Sequence, residues 1–134
     1  MSSARAAMTA ALKRTVVPAL RELGFAGAFP HFRREAGGRV ELLSVQFSQW
    51  GDKFAVEVGS FPAAGYASGD ATVPAADVRM RHLLFGTDRT RVGPADADGD
   101  RWFAFDPADP DAAAAAVLPY LRRQAAAWWA RRRG

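Results

Sequence analysis

FPHFRREAGGRVELLSVQFSQWGDKFAVEVGSF, residues 29–61, reads as three antiparallel strands joined by two turns. Gly37-Gly38 and Gly51-Asp52 stand where tight hairpins need the freedom of positive φ. Val40 and Leu42, then Phe54, Val56 and Val58, recur at the two-residue period of a half-buried strand. A meander is therefore predicted at the centre of the chain. Its face with Phe54, Val56 and Val58 is expected to build the core. The opposite face, assigned Glu41 and Glu57, is the one expected to meet a partner.

Helices are expected on either side of the meander. The first runs from about Ser3 to Leu23, with Leu12, Val16, Leu20 and Leu23 on one face and Gly24 ending it. Pro18 removes a ladder donor and crowds the preceding turn, so a kink or break near Val17 is predicted. At the other end Asp109 is placed to cap a helix, with Pro110 at its first position and Asp111 complementing the dipole. Ala114, Val117, Leu118, Leu121, Ala125 and Trp128 then recur at helical spacing, Pro119 predicts a second kink, and Arg122, Arg123 and Arg131–Arg133 fall late, where the dipole favours cations. Between meander and last helix, residues 62–76 read as a long Gly/Ala/Pro-rich loop containing Tyr66. Asp77–Phe85 reads as a fourth strand, because Val78, Met80 and His82 alternate with Arg79 and Arg81. Arg101–Phe105 reads as a short fifth strand after an acidic turn.

With 134 residues, 49% hydrophobic and 24% charged, the chain has the make-up of one globular domain, residues 1–134. At that length a fold buries roughly two-thirds of the unfolded surface. The absence of cysteine excludes disulfides, thiolate metal sites and cysteine nucleophiles, and it agrees with a reducing, cytoplasmic setting. The apolar runs are too short to span a bilayer, so no membrane is expected among its partners. The basic N-terminus is similar to a transit peptide, but its apolar face continues to Leu23, and it is read as the first helix. A net charge of +4 comes from sixteen Arg and two Lys. That balance attracts phosphate or acidic surfaces, and it is also what a GC-rich coding sequence produces.

Motifs for catalysis are absent: there is no HExxH, no serine nucleophile elbow and no phosphate-cradling glycine loop, and no cofactor is expected. ADADGD, residues 95–100, has alternating carboxylates but places glycine and its twelfth residue wrongly for a calcium loop, so it reads as a solvated turn. His31 and His82 are taken as strand residues with packing or surface roles. An enzyme acting on an anionic small molecule would need one of them to meet a carboxylate such as Glu57 in a pocket. On the fourth strand Arg79 and Arg81 would share a face about 7 Å apart, a spacing suited to an anionic group or an acidic partner. Trp50 and Trp102 add flat surfaces of the kind enriched in binding sites; the alternative is arginines on a solvent face and tryptophans capping the core. A nucleic-acid reading rests on Trp129 with Arg131, Arg132 and Arg133. It is weakened because Trp128 and Trp129 diverge by about 100° on a helix, which puts Trp128 on the core stripe and Trp129 at its margin.

Several fragments together resemble a known family: Leu23-Gly24-Phe25, Phe32-Arg33, Val45-Gln46-Phe47-Ser48, Phe54-Ala55-Val56 with Gly59, Arg79-Met80-Arg81, and Asp100-Arg101-Trp102-Phe103. The chain is similar, from about Ala11 to Phe105, to an uncharacterised bacterial family, domain of unknown function 4304. The resemblance implies a compact cytosolic domain with a sheet backed by helices, and no reaction or cofactor. Arg79, Arg81 and Trp102 are the family-like positions that a shared surface would use. The pattern departs after Arg81, where His82-Leu83-Leu84 stands in place of a glycine-containing turn.

The expectation is thus an α+β domain, an antiparallel sheet of about five strands with the N- and C-terminal helices packed on one face. Its expected role is non-enzymatic binding of an acidic protein partner or anionic ligand through Arg79, Arg81, Trp50, Trp102, His82 and Glu57.

Overall fold

The computed structural model describes residues 3–133, apart from the side chain of Ser68. Helix α1 (Ser3–Glu22) leads into β1 (Ala26–Ala28), β2 (His31–Ala36), β3 (Arg39–Phe47) and β4 (Lys53–Pro62). A small hairpin, β5 (Tyr66–Ser68) and β6 (Ala71–Val73), is followed by two single 3₁₀ turns at Ala75–Asp77 and Met80–His82, then β7 (Arg89–Val92) and β8 (Phe103–Ala104). The chain ends in α2 (Pro110–Tyr120), a π turn (Leu121–Ala125) and α3 (Ala126–Arg133). The main sheet is antiparallel in the order β1-β2-β3-β4-β7, with β8 pairing the first residues of β4. The predicted α+β class and the meander are therefore borne out.

Gly37 and Gly38, at φ +58° and +75°, make the β2–β3 turn as expected. Gly51 is not in the left-handed region. The β3–β4 connection is a wider loop in which the Ser48 hydroxyl accepts the Trp50 N–H and Ser48 N–H reaches the Lys53 carbonyl.

The end of α1 shows how Leu23-Gly24-Phe25 works. Gly24, at φ +90°, lets its own N–H reach the Arg21 carbonyl and lets Phe25 N–H reach the Leu20 carbonyl, satisfying two orphan acceptors and turning the chain towards the sheet. Leu23, expected on the buried face, lies past the helix and is exposed. The helix continues unbroken through Pro18.

The sheet has two covered faces. Strand alternation sends Leu43, Val45, Phe54, Val56, Val58 and Val92 to the helix side, where they meet Met8, Leu12, Val16 and Leu20 of α1 and Ala114, Val117, Leu121 and Trp129 of the C-terminal helices. Trp129 is 0% exposed and its indole N–H donates to the Gly59 carbonyl at 3.1 Å. Both tryptophans are thus in the core, Trp128 as expected and Trp129 against its expected place at the margin. Beyond Pro119 the π turn adds a residue to the helical repeat, so the buried series runs Val117, Leu121, Ala125, Trp129 at steps of four. Asp109 occupies the N-cap position, although its side chain makes no capping bond, while Asp111 pairs with Arg14 of α1 at 2.8 Å.

Glu41 also belongs to the helix side, which corrects its expected place on the opposite face. It lies opposite Ser60 and is in step with Leu43 and Val45. The other face holds Val40, Leu42 and Phe61, covered by Val78 and Leu83. The covering segment is not the long loop and fourth strand expected from sequence. Residues 66–73 form a hairpin turning at Gly69-Asp70. Residues 75–82 curl into 3₁₀ turns instead of extending, and the edge of β4 that a fourth strand would need is taken by β7.

Candidate functional site

Register across the sheet sets out two rows of side chains on the face away from the helices. One row is His31, Ser44, Glu57, Arg91; the next is Arg33, Leu42, Gly59, Arg89. Each row crosses β2, β3, β4 and β7 in turn. Directly opposed side chains lie about 5 Å apart. His31 and Glu57 are consequently kept apart by the strand that carries Ser44.

Glu57 is buried between two arginines of β7. Arg89 Nη1 donates to its Oε1 at 3.0 Å, and Arg91 Nε lies 3.6 Å from Oε2, close enough for attraction but too far for a hydrogen bond. Arg91 in turn lies 4.7 Å from the centroid of Trp102, and Lys53 Nζ lies 5.0 Å from the same ring. Trp102 is therefore packed by two cations.

The overhanging segment is tied to these rows by named bonds. Arg33 of β2 donates to the Val78 carbonyl at 2.9 Å and to the Ala75 carbonyl at 3.4 Å, and Arg89 Nε donates to the Leu83 carbonyl at 2.8 Å. Gly59 makes room beneath it, since a Cβ there would stand 2.6 Å from Leu83 Cδ1 and 2.9 Å from Met80 Sδ. Tyr66 donates its hydroxyl proton to Asp88 at 2.7 Å and accepts the Leu84 N–H at 3.1 Å. Burial, then the bond to Asp88, raises the Tyr66 phenol above its ordinary pKa of 10.0.

Between the rows and the overhang lies a cleft of about 1030 Å³. Among the described residues, five arginines line it, Arg5, Arg33, Arg79, Arg81 and Arg89, with one carboxylate residue, Glu57. Leu42, Val78 and Met80 supply apolar wall and Ser44 and Gln46 polar floor. Arg81 is exposed and makes no ion pair among the described residues, whereas Arg79 spends Nη1 on the carbonyls of Ala76 and Val78. The arrangement can offer guanidinium N–H groups to a carboxylate or phosphate while apolar wall screens part of it from water.

Of the residues picked out from sequence, the cleft unites Arg79, Arg81 and Glu57, with His31 beside them. Arg81 reaches it from the 3₁₀ turn Met80–His82 and Arg79 from the residue that precedes that turn, not, as expected, from one face of a strand. His82 is not among the lining residues: its Nδ1 accepts the Arg79 backbone N–H at 2.8 Å. Trp50, 85% exposed at the β3–β4 loop, and Trp102 do not line it either. The set proposed for nucleic acid lies elsewhere. Trp129 is in the core, Arg132 stacks 3.6 Å from the Trp128 ring centroid and donates to the Thr87 carbonyl, and Arg133 is bound to Glu41. Burial, then neighbouring Arg131, lowers the Arg132 pKa, while the bond to Glu41 raises that of Arg133. Sequence reasoning passed over Arg33 and Arg89. The signal was present in His31/Arg33 and Arg89/Arg91, two pairs of polar residues two apart around an apolar or neutral neighbour, as period-two strands place them.

One family model matches the chain, over residues 16–131, and its description is Domain of unknown function (DUF4304). The match takes in most of the C-terminal helices as well as the fragments that carried the resemblance. No curated protein and no solved structure matches.

Proposed function

Because the chain belongs to this family of unknown function, membership brings no reaction with it, and we propose from the cleft itself that the protein is a binding domain for an anionic group. The observation that carries the reading is that five arginines and one carboxylate residue line the same cleft. Glu57 is already engaged by Arg89 and Arg91, so it holds the β7 arginines in place and leaves the charge of Arg79 and Arg81 for a ligand. Carboxylate and phosphate ligands share the chemistry required. A cytoplasmic setting forms part of this reading; among the described residues no helix is long and apolar enough to cross a membrane.

Isothermal titration at low salt with polyglutamate, tripolyphosphate and citrate tests it, comparing the chain with an Arg79→Ala, Arg81→Ala double variant of unchanged urea midpoint. At least one probe should bind, and the double variant should bind it about tenfold or more weakly. Equal affinity in both proteins, or no binding of any probe, would overturn the proposal.

A second reading, a small enzyme acting on an anionic molecule, rests on His31 lining the arginine cleft, although Glu57, the carboxylate it was expected to meet, stands two strands away. Turnover of a chromogenic phosphate or carboxylate ester, lost in His31→Ala, would favour it over simple binding. Absence of turnover leaves binding as the function.

A further inference from the structure

The turn that closes the overhang presents two apolar side chains to solvent, Leu84 at 62% exposure and Phe85 at 56%. Their backbone is held from both sides. The Leu84 carbonyl accepts the N–H groups of Thr87, Asp88 and Arg89, and the Leu84 N–H donates to the Tyr66 hydroxyl. A preordered apolar pair loses little further freedom when a partner covers it, which is the condition under which exposed side chains become strong binding contacts.

The pair adjoins the cleft through one residue. Arg89 lines the cleft and bonds Glu57, and the same guanidinium lies 5.3 Å from the Phe85 ring centroid. Anionic recognition and apolar contact are therefore neighbours on one continuous surface. A cleft of about 1030 Å³ stands at the upper end of small-molecule pockets, about 300–1,000 Å³, before the apolar pair outside it is counted. A small anion would leave Leu84 and Phe85 uncovered.

Resting on the anionic-cleft reading above, we propose that the occupant is an acidic segment of another protein that carries an apolar side chain among its carboxylates. The carboxylates meet Arg79 and Arg81, and the apolar side chain covers Leu84 and Phe85. Positive charge in the cleft against negative charge on the segment supplies encounter and register; the apolar contact supplies selectivity among acidic segments.

The test uses two fluorescein-labelled peptides, ten glutamates alone and ten glutamates interrupted at the centre by two leucines. Fluorescence anisotropy should show the leucine peptide binding about tenfold tighter, the effect of burying a leucine side chain. Leu84→Ser, whose side chain is largely solvated and whose backbone bonds survive the change, should erase that difference and leave the all-glutamate affinity in place. Arg81→Ala should weaken both peptides. Equal affinity for the two peptides, with Arg81 still required, overturns this inference and leaves the anionic-cleft reading standing. Binding of tripolyphosphate without either peptide does the same. Failure of every probe overturns both. Self-association of the chain abolished by Leu84→Ser would make a second copy the occupant, and would also sink the proposal.

Discussion

Glu41 and Arg133 stand 92 positions apart and meet through two hydrogen bonds of 2.8 Å, Arg133 Nε to Oε2 and Nη2 to Oε1. Glu41 is fully buried and also accepts Arg34 Nε at 2.8 Å, so a single carboxylate joins β2, β3 and the end of α3. Arg34 lies over both Phe25 and Trp129, which sets this charged cluster directly on the aromatic core. A buried carboxylate is tolerable only with such partners.

Removing the carboxylate should be costly. Glu41→Ala is expected to lower the unfolding free energy by about 3–5 kcal/mol, because two guanidinium groups lose their counter-charge. Arg133→Ala should cost less, about 1–2 kcal/mol, since its side chain is partly solvated and Arg34 remains. Urea denaturation reads both. Deleting Arg131–Arg133 therefore weakens the fold itself, and Arg131→Ala, at an exposed position, is the cleaner probe of nucleic-acid affinity. That variant should leave stability within about 0.5 kcal/mol of the native chain.

Gly59 should resist a side chain. A Cβ there would press on Leu83 Cδ1 at 2.6 Å and Met80 Sδ at 2.9 Å, so both side chains would have to shift, Leu83 from a buried position. Gly59→Ala is expected to cost about 1–3 kcal/mol as overpacking. Hydrogen exchange should quicken over residues 80–88 ahead of the meander. Uniform exchange across the whole sheet would show that the overhang is not seated on Gly59.

Alkaline pH should loosen the same segment. The folded-state pKa of Tyr66 is raised above its unfolded value, so its contribution is fully present below about pH 10 and is lost as pH rises through the folded value. Absorbance of tyrosinate at about 295 nm should show Tyr66 ionising later than a solvated tyrosine. Tyr66→Phe should remove that late step, and it should also cost stability at neutral pH by leaving the Leu84 N–H and Asp88 without their partner. No change in the titration on making Tyr66→Phe would refute the assignment.

Arg33 is expected to act through position as well as charge. It holds the carbonyls of Ala75 and Val78, which lead into Arg79. Arg33→Lys keeps the charge and loses the forked donor, so it should weaken polyglutamate binding nearly as much as Arg33→Ala does. Recovery of native affinity in the lysine variant would make Arg33 a simple charge.

Periodicity exposed the meander and both terminal helices, because each is recorded within a few residues: two-residue alternation in Phe54, Val56 and Val58, four-residue recurrence in Val117, Leu121 and Ala125, and a glycine where α1 must stop. The alternation of Val78, Met80 and His82 was misleading. Over so short a run, turns that rest Val78 and Met80 on one surface carry the same two-residue spacing as a strand. In the folded chain the edge of β4 is paired by β7, and residues 75–82 lie over the sheet instead. Glu41 was placed on the wrong face for a related reason. A glutamate in a strand reads as solvent-facing unless its partners are known, and one of those partners is 92 residues away.

Local pattern thus established the class of fold, the central sheet, the helix boundaries near Gly24 and Pro110, and an excess of arginine with no disulfide or recognised catalytic motif. Where that excess collects was another matter. Arg33, Arg79, Arg81 and Arg89 come from three separate elements, and only strand register, the missing Cβ of Gly59 and the hydrogen bonds of Arg33 gather them around one cleft. Electrostatic sites are made by distance through space, and that distance is set by the packed core, in which Trp129 lies buried beyond the π turn.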